Sequence, residues 1–350
     1  MLHRVVFEEP GRFVGWPANN GAWSWANGEL LVGFTMGGFA ELPGHNIVEP
    51  YVNALARSQD GGETWRFELP DPFIGRAGPL IPLPAAIDFG APGFGLRVVG
   101  TGYHGSSLPE GGFFVTLDHG RSWDGPHPFA GTVDLPALEG MDWTPRTDYV
   151  VEGRAACQVW ASARQPGNWT SEKVFGLKTE DGGLSFDFLS WVVSPRDPYR
   201  AVMSATVRCS EGKLVTAVRR RDLDGDSDCW IDCYVSHNNG ASWAYQSRVT
   251  DTGPENGNPP ALIRLADGQL CCAYGHRGRR HMAARLSSDE GEHWGQPIVL
   301  RDDFRADRYG DADLGYPRMV KRVDGKLVVI YYWATVERPW QHIAATIWSP

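Results

Sequence analysis

The hydrophobic pattern of the chain consists of short apolar runs separated by glycine, proline and polar residues. The C-terminal part shows it most clearly, with strand-like runs at residues 315–322, 326–333 and 341–347. No stretch shows sustained helical periodicity, and short runs bounded by turn-forming residues predict β-strands. The composition agrees with an all-β chain, because 42 glycines, 25 prolines and 15 tryptophans in 350 residues indicate many turns and many packed aromatic rings.

A polar motif, Ser/Thr-x-Asp/Asn-x-Gly-x-x-Trp/Phe, recurs five times after such runs. Its copies begin 51 to 63 residues apart, at Ser58, Thr116, Thr179, Ser236 and Ser287. The third residue can accept backbone N–H bonds in a tight turn, the glycine can take a positive φ, and the aromatic ring can pack inward. We therefore expect the motif to serve folding, with one copy in each repeat of four short strands.

These motifs resemble Asp-box repeats, and the chain is similar over nearly its whole length to the sialidase-like superfamily of six-bladed β-propellers. The resemblance implies a single domain over residues 1–350, built from six four-stranded antiparallel blades, five of which carry a box. The last repeat supplies only three strands, so we expect the N-terminal run at residues 2–8 to provide its fourth strand. That pairing would close the ring and leave only short, protected sheet edges.

Charge and cysteine usage narrow the possible partners. The net charge of −9 argues against nucleic acid or an acidic membrane as a partner of the whole surface. The chain opens directly on strand-like residues and has no run of 18 apolar residues, which predicts a cytoplasmic protein without a membrane span. The six cysteines lack the spacing of a disulfide or zinc site, so we expect buried free thiols and no metal or cofactor.

Candidate chemistry is expected where the inner strands begin and where the second strands lead into the third, because these segments line one funnel in a propeller. They fall at residues 15–20, 44–49, 148–152, 200–204, 219–221, 255–258, 276–281 and 311–316. Arginine is frequent among them, and its planar guanidinium group matches a carboxylate or sulfate. The alternative is a set of solvated ion pairs, since residues 219–221 precede four aspartates.

The resemblance to sialidases can be carried to single residues. These enzymes place a tyrosine nine residues before the glycine of an Asp-Gly turn, which corresponds to Tyr316 before Gly325. They place an arginine seven residues after a turn glycine, which corresponds to Arg219. A further arginine falls on Arg277 or Arg280. The resemblance thus implies a catalytic role for Tyr316 and ligand-binding roles for the arginines.

Three positions depart from the sialidase pattern. Gly15 stands where the first carboxylate-binding arginine is expected, and Met203 or Ser204 stands where a glutamate activates the tyrosine. Asn46 falls near the position of the acidic residue of the family. None of these side chains supplies the missing group, which counts against hydrolysis of sialic acid itself.

Other side chains in the funnel offer alternative chemistry. Glu255 and Asp313 open adjacent inner strands, and two facing carboxyl groups suit glycoside hydrolysis, with Glu255 as acid and Asp313 as base or nucleophile. Alternatively, Asp313 caps a turn, Glu255 pairs with an arginine, and Tyr316 is a packing residue. The remaining candidates for sugar contact are Arg200, His45, Asn46, Asn19 and Trp16, the tryptophan by stacking.

These residues favour a carbohydrate-active enzyme, namely an exo-acting, sialidase-like glycoside hydrolase on a glycan that bears an acidic group. One alternative is a lyase acting on uronic acid glycans, with His45, His276 or Tyr316 as base near an arginine. Another is a carbohydrate-binding propeller that has lost its chemistry, which the departures at Gly15 and Met203 would suit. In each case the expected partner is an anionic sugar or glycan, with no cofactor, nucleic acid or membrane.

Overall fold

The structure, a computed structural model, describes residues 1–70, 79–100, 111–132, 135–144, 146–223, 228–254 and 257–350. These residues form 25 strands and one short helix, and the strands are arranged in six antiparallel sheets. The sheets are the blades of a six-bladed propeller, which confirms the all-β prediction. Within the described ranges, no helix has the length and apolar character needed to cross a membrane.

The first strand, β1 (Leu2–Phe7), belongs to the sixth blade and precedes the three blades of the N-terminal half. Blade 1 contains β2 (Arg12–Gly15), α1 (Pro17–Asn20), β3 (Ala22–Ser24), β4 (Leu30–Phe39), β5 (Ile47–Ser58) and β6 (Arg66–Glu68). The described part of blade 2 contains β7 (Gly95–Val99), β8 (Gly112–Thr116) and β9 (Asp124–His127). Blade 3 contains β10 (Asp142–Trp143), β11 (Tyr149–Val151), β12 (Cys157–Arg164), β13 (Lys173–Thr179) and β14 (Asp187–Trp191).

Blades 4 to 6 come from the C-terminal half. Blade 4 contains β15 (Arg200–Ser210), β16 (Lys213–Arg221), β17 (Asp228–Ser236) and β18 (Ala244–Pro254). Blade 5 contains β19 (Ala261–Arg264), β20 (Leu270–His276), β21 (His281–Ser287) and β22 (Ile298–Arg301). Blade 6 contains β23 (Gly315–Lys321), β24 (Leu327–Trp333) and β25 (His342–Trp348), followed by β1.

The ring closes where the two ends of the chain meet in blade 6. Strand β1 pairs antiparallel with β25, with Leu2 opposite Ile347 and Phe7 opposite Ile343. The predicted pairing of the N-terminal run with the last strand is therefore confirmed. The neighbouring strand β24 is buried at every position, because alternate side chains pack in the core clusters shared with blade 1 and with blade 5. Burial on both faces explains its uninterrupted apolar sequence.

Two inner strands are interrupted. In blade 1, β2 and β3 both pair with β4 and are separated by the one-turn helix α1. In blade 3, β10 and β11 both pair with β12 and are separated by a short segment that contains Arg146. The Thr144 N–H still donates to the Ser162 carbonyl, and the Asp148 carbonyl still accepts the Trp160 N–H, so this interruption is short.

The five boxes form one recurring turn between the third and fourth strands of a blade. In the first box the Gly62 N–H donates to Ser58 Oγ at 2.7 Å, and the Thr64 N–H donates to Asp60 Oδ1 at 2.9 Å. Gly62 has a φ of 92°, a conformation that a side chain would disfavour. These contacts confirm that the motif serves folding.

Replacing Asp181 with alanine should lower the free energy of unfolding by about 1 kcal/mol, as expected when the side-chain acceptor of an exposed turn is lost. Asp181 accepts the Ser185 N–H at 3.0 Å and the Ser185 hydroxyl at 2.6 Å. Asp181→Asn is the matched control, because Asn238 fills the same position in the fourth box and accepts the Ser242 N–H at 2.9 Å. Urea unfolding measures both variants, and an unchanged alanine variant would contradict the assignment.

The six cysteines are all buried and free, as predicted. The adjacent Cys271 and Cys272 lie in different core clusters, because successive side chains of a strand point to opposite faces of the sheet. Burial raises the pKa of Cys271 to about 12, which disfavours the reactive thiolate. These thiols are packing residues.

Candidate functional site

Side chains from five blades meet around Tyr316 on one face of the propeller. Tyr316 stands at the start of β23, Arg219 near the end of β16, and Arg277 directly after β20. Arg146 lies in the segment that interrupts the inner strand of blade 3, and His45 lies between β4 and β5. Their convergence follows from the topology, since inner strands begin and second strands end on the same face of the disc.

Tyr316 is held in an unusual backbone conformation. Its φ is 48°, and the preceding Gly315 has a φ of 98°. The Tyr316 N–H donates to Asn258 Oδ1 at 2.7 Å. A Cβ atom on Gly315 would lie 2.0 Å from Asn258 Oδ1, so only glycine permits this contact. Asn258 and Gly315 together therefore fix the position of the tyrosine ring.

Two arginines and a methionine surround the Tyr316 hydroxyl. Arg219 Nη1 donates to the Tyr316 oxygen at 3.1 Å, and the Arg219 guanidinium carbon lies 5.6 Å from the ring centroid. The Met203 sulfur lies 3.3 Å from Arg219 Nη1 and 3.4 Å from Arg146 Nη2. Both arginines are buried, with 3% exposure each. Met203 thus sits between two guanidinium groups, where the sialidase comparison had placed a glutamate.

The positive charges change the acidity of Tyr316. Burial alone would raise the pKa of this phenol, but Arg219, His45, Arg277 and Arg146 outweigh that effect and lower the pKa to about 7. An ordinary tyrosine has a pKa of about 10. A substantial fraction of Tyr316 is therefore phenolate at neutral pH, although no carboxylate base contacts its hydroxyl among the described residues.

Asp313 is the shared acceptor of a second group of contacts beside Tyr316. Its carboxylate is fully buried and accepts from His45 Nδ1 at 2.8 Å, from the Asn46 N–H at 3.1 Å and from the Tyr332 hydroxyl at 2.5 Å. Arg277 Nη2 lies 3.3 Å away. Burial would raise the pKa of Asp313, but His45, Arg277 and the Tyr332 hydrogen bond hold it below its usual value.

This arrangement revises the expected role of Asp313. A carboxylate with four partners and no exposed surface is placed to orient other groups rather than to attack a sugar or exchange a proton with it. His45 is the partner that reaches the surface, with its side chain 30% exposed. The contact between the Asp313 carboxylate and Nδ1 fixes the orientation of the His45 ring.

A cleft of about 230 Å³ opens next to the His45 loop. Its lining comes from four segments of the chain and includes Gly44, Pro254, Arg277, Arg280, Tyr309 and Asp311. Arg277 is buried and joins the cleft to the Asp313 contacts, whereas Arg280 is exposed and donates to the Gly310 carbonyl at 3.3 Å. Arg277 rather than Arg280 is therefore the arginine of blade 5 that belongs to the Tyr316 site.

The structure revises two predicted sugar contacts. Trp16 has only 1% exposure, and its ring packs against Phe13 and His45, so no face remains for stacking on a sugar. The Trp16 ring packs at a steep angle against the His45 ring and supports it. Arg200 forms a buried ion pair with Glu172, so its charge is neutralised without a ligand.

The two predicted asparagines serve the loops that frame the site. Asn46 Oδ1 accepts the Leu42 N–H at 3.1 Å, and the Asn46 N–H donates to Asp313. Asn19 lies half-buried in α1, and its backbone N–H donates to the Trp16 carbonyl at 3.0 Å. Asn46 therefore shapes the His45 loop, whereas contact between Asn19 and a ligand stays a prediction.

The predicted pair of catalytic carboxylates is not assembled in the described part of the site. Glu255 lies outside the described residues, and Asp313 is enclosed as described above. Of the other carboxylates on this face, Asp311 accepts the Gly44 N–H at 3.0 Å, and Asp148 accepts the Ser204 hydroxyl at 2.6 Å. Burial raises the pKa of Asp148, which is typical of a structural acid. The groups that face one another are instead Tyr316 and His45, with ring centroids 6.5 Å apart.

Sequence reasoning missed Arg146, Tyr332 and Asn258. Arg146 lies two residues before the inner-strand segment nominated in blade 3, so an arginine near a strand entrance was the available signal. Tyr332 lies in an apolar strand, where nothing in the sequence separates it from a core residue. Asn258 was within a nominated segment, but its contact with Tyr316 depends on tertiary structure.

Arg146 also bears on the departure at Gly15. A Cβ atom at Gly15 would lie 2.5 Å from the Phe13 ring, so this position has no room for the expected arginine. Arg146 reaches the same centre from a different blade and helps to lower the pKa of Tyr316. The site therefore contains three arginines, Arg146, Arg219 and Arg277, in an arrangement that differs from the predicted one.

One group within the described ranges could hold a metal ion, namely Asp289, Glu292 and His293 of the fifth box. His293 Nδ1 already contacts Asp289 at 2.8 Å, and the Asp289 carboxylate accepts the His293 N–H. These contacts complete the surface turn without an ion, so we assign no metal function to it.

Known structures share this architecture. A Dyadobacter fermentans protein of unknown function aligns with a TM-score of 0.74 at 19% identity, covering 99% of this chain and 97% of the other. A Penicillium chrysogenum α-L-arabinanase complexed with arabinobiose aligns at 0.65 and 15% identity, covering 100% and 98%. The Hadza microbial sialidase Hz136 aligns at 0.62 and 13% identity, covering 96% and 66%. At these identities the likeness is one of fold.

Comparison by sequence identifies the family. No curated protein sequence matches the chain. The profile of the BNR repeat-like domain matches residues 98–329, which is well over half of the chain and includes four of the five boxes. The chain therefore belongs to the BNR repeat-like domain family, with a sialidase-like six-bladed propeller as its fold.

Proposed function

We propose that the protein is a glycoside hydrolase that acts on a terminal sugar bearing an acidic group, with Tyr316 as its nucleophile. The observation that carries the proposal is a buried tyrosine whose pKa is lowered to about 7 by arginines on a propeller face. Perturbed titration in a cleft is a mark of functional sites. Tyrosine is also the nucleophile in sialidases, which depart from the usual pair of carboxylates.

The proposed reaction has two steps. The Tyr316 oxygen attacks the anomeric carbon while protonated His45 gives its proton to the leaving glycosidic oxygen, which breaks the glycosidic bond and forms a glycosyl–tyrosine. Neutral His45 then takes a proton from water, which attacks the same carbon and releases the phenolate. Asp313 holds the His45 ring in orientation. Tyr316 and water attack the anomeric carbon from opposite faces, so each step inverts it and the two steps together predict retention of configuration.

The arginines supply the substrate preference in this proposal. Arg219 and Arg146 are both within reach of the space around the Tyr316 hydroxyl, and Arg277 borders the adjacent cleft. A carboxylate on the sugar would accept charge-assisted hydrogen bonds from them in a partly dry site. Tyr316 is itself only 5% exposed, so a chain end fits the site better than the middle of a polymer, which supports exo-acting hydrolysis.

Similar structures support carbohydrate chemistry without selecting the sugar. The arabinanase and the sialidase named above both act on glycans, as their names state. We expect sialic acid itself to be a poor substrate. Met203 stands where the sialidase pattern has a glutamate and offers Tyr316 no base, and Arg146 comes from a different blade than the arginine missing at Gly15.

A uronic acid lyase is the second candidate, and the His45–Tyr316 arrangement favours it. These two groups face each other beside three arginines, whereas the described part of the site offers no pair of accessible carboxylates. In a lyase the Tyr316 phenolate would take the proton next to the sugar carboxylate, and His45 would protonate the leaving oxygen. The arginines would stabilise the negative charge that develops on the carboxylate.

Product analysis with acidic and neutral oligosaccharides tests the proposal. Hydrolysis creates a new reducing end without ultraviolet absorbance, whereas elimination creates an unsaturated product that absorbs. A slow fluorinated acidic glycoside should trap the sugar on the peptide containing Tyr316. Absorbing products would show that the protein is a lyase and not a hydrolase. Binding without any product would show a carbohydrate-binding propeller without catalytic activity.

The acidic limb of the kcat/KM profile should follow the ionisation of Tyr316, with a midpoint near its pKa of about 7. Activity rises with pH there, because the protonated phenol is a poor nucleophile and the phenolate is a good one. An anionic substrate adds negative charge, so the midpoint for kcat should lie higher. Arg219→Gln should move the limb to higher pH, since Arg219 is the strongest of the charges that lower the pKa. An acidic limb that stays in place in this variant would contradict the assignment.

A further inference from the structure

Arg164 is a buried cation that makes no side-chain hydrogen bond or ion pair with the described residues. It is 6% exposed, and its Nε and Nη1 atoms are buried without a hydrogen-bond partner. The guanidinium carbon lies 3.5 Å from the centroid of the Trp169 ring, so the cation stacks on this indole. Packing therefore holds the Arg164 side chain in place, while its Nε and Nη1 donors make no hydrogen bond.

Such a group is costly unless something else pairs with it. Removing a guanidinium group from water without hydrogen bonds or a counter-ion is strongly unfavourable. The contact with Trp169 offsets only part of this cost. The neighbouring Arg200 shows the usual solution, because it is paired with the buried carboxylate of Glu172. The unused donors of Arg164 fit an anion that is not part of the chain.

Arg164 lies on the same face as the Tyr316 site. It ends β12, the second strand of blade 3, just as Arg219 lies near the end of the second strand of blade 4. Trp169, in the loop that follows β12, is 44% exposed, and Arg200 lies 5.1 Å from its ring. Arg200 begins β15, the strand on which Val202 pairs with Arg219. The Arg164 cluster is thus connected to the central site along one surface.

We propose that Arg164 and Trp169 form a second anion-binding subsite, which takes the carboxylate or sulfate group of a neighbouring sugar unit in the same glycan. The proposal rests on the proposed function, because the central site would hold the first acidic unit. A planar anion matches the guanidinium donors, and the exposed part of the indole offers an apolar surface for the sugar ring. Glu172 is paired with Arg200, and Asp142, which lies opposite Arg164 on β10, makes no ion pair with it.

Nuclear magnetic resonance of the full chain with ¹⁵N-labelled arginine tests the site without any need for turnover. The Nε–H signal of Arg164 is assigned by its absence in Arg164→Met. Titration with inorganic sulfate, and separately with acetate, should shift this signal with saturation, in the wild type and equally in Tyr316→Phe. A signal that does not move, or that moves without saturation together with exposed Arg196, overturns the proposal.

Thermal unfolding separates a ligand-binding role from a structural one. Because the Arg164 donors have no partner, Arg164→Met should leave the melting temperature unchanged or raise it, since replacing a buried charge by an apolar residue of similar length is often neutral or stabilising. A fall of several degrees, absent from the exposed control Arg196→Met, would show that Arg164 serves folding and would overturn the proposal.

Binding of oligosaccharides tests whether the anion that binds Arg164 belongs to a glycan. Arg164→Met should weaken binding of uronic acid disaccharides at least tenfold and leave binding of the monosaccharide unchanged. Equal loss for both lengths, or no loss for either, overturns the second subsite. Neither result depends on whether the protein cleaves the sugar, so failure of the subsite and failure of the proposed hydrolysis are distinguishable.

Discussion

Replacing Tyr316 with phenylalanine should reduce kcat by about 10³-fold or more, because the substitution removes the proposed nucleophile and keeps the ring. The ring packs beside His45 and Tyr332, and phenylalanine preserves those contacts. The melting temperature should fall modestly, since Arg219 loses the acceptor of its hydrogen bond and the buried arginines lose the phenolate charge. Steady-state turnover of the acidic oligosaccharide found by product analysis, together with calorimetry, measures both effects.

Tyr331→Phe is the matched control for this experiment. Tyr331 lies in β24, is fully buried, and shares a hydrogen bond of 2.7 Å with the Thr346 hydroxyl, away from the candidate site. Its loss should lower stability by about 1 kcal/mol and leave kcat unchanged. If Tyr316→Phe kept its turnover, Tyr316 would not be the nucleophile and could only position other groups.

Arg219→Ala should weaken binding of an acidic sugar by ~2–4 kcal/mol, which corresponds to a factor of roughly 30 to 1,000 in Kd. Arg219 is 3% exposed and donates to the Tyr316 hydroxyl, so an anion there would meet it in a partly desolvated pocket. Binding of the matching neutral sugar should change by less than about threefold. Calorimetric titration with the acidic sugar and its reduced, neutral analogue gives both values.

Two further variants sharpen the interpretation of Arg219. Arg219→Lys keeps the charge but loses the planar pair of donors, so its affinity should lie between those of the wild type and the alanine variant. Arg279→Ala removes an exposed arginine of the same face and should leave affinity unchanged. Equal losses for acidic and neutral sugars in Arg219→Ala would show that the residue shapes the pocket without reading charge.

The fold could be predicted from the sequence because its signals are local and repeated. Each box marks a turn between the third and fourth strands, and its hydrogen bonds join residues no more than four positions apart. The closure of the ring followed from counting strands, since the last repeat lacked one and the N-terminal run could supply it. The observed pairing of Leu2 with Ile347 agrees with this strand count.

Part of the candidate site was predictable for the same reason. Tyr316 and Arg219 lie at the start and near the end of strands, at fixed distances from turn glycines, so the sialidase spacing located both of them. The structure puts them in direct contact, at 3.1 Å between Arg219 Nη1 and the Tyr316 hydroxyl. A position counted along a strand from its turn is transferable between relatives even when the surrounding residues differ.

The rest of the site depends on irregular segments and tertiary contacts. Arg146 lies where an inner strand is interrupted, and nothing local determines where that segment leads. Trp16 has a φ of 57° at the start of α1, and it packs beneath His45 instead of meeting a ligand. Asp313 gains its partners from blades 1, 5 and 6, so its enclosure could not be inferred from its position before β23.

The most direct test of the central claim is an ultraviolet titration of the phenolate in the free protein, taken as the difference between wild type and Tyr316→Phe. We expect one phenolate to appear with a midpoint near pH 7, because the surrounding arginines and His45 lower the pKa of Tyr316 to about that value. The midpoint should rise in Arg219→Gln. A difference spectrum that shows no phenolate until the usual tyrosine range of about pH 10 would contradict the account.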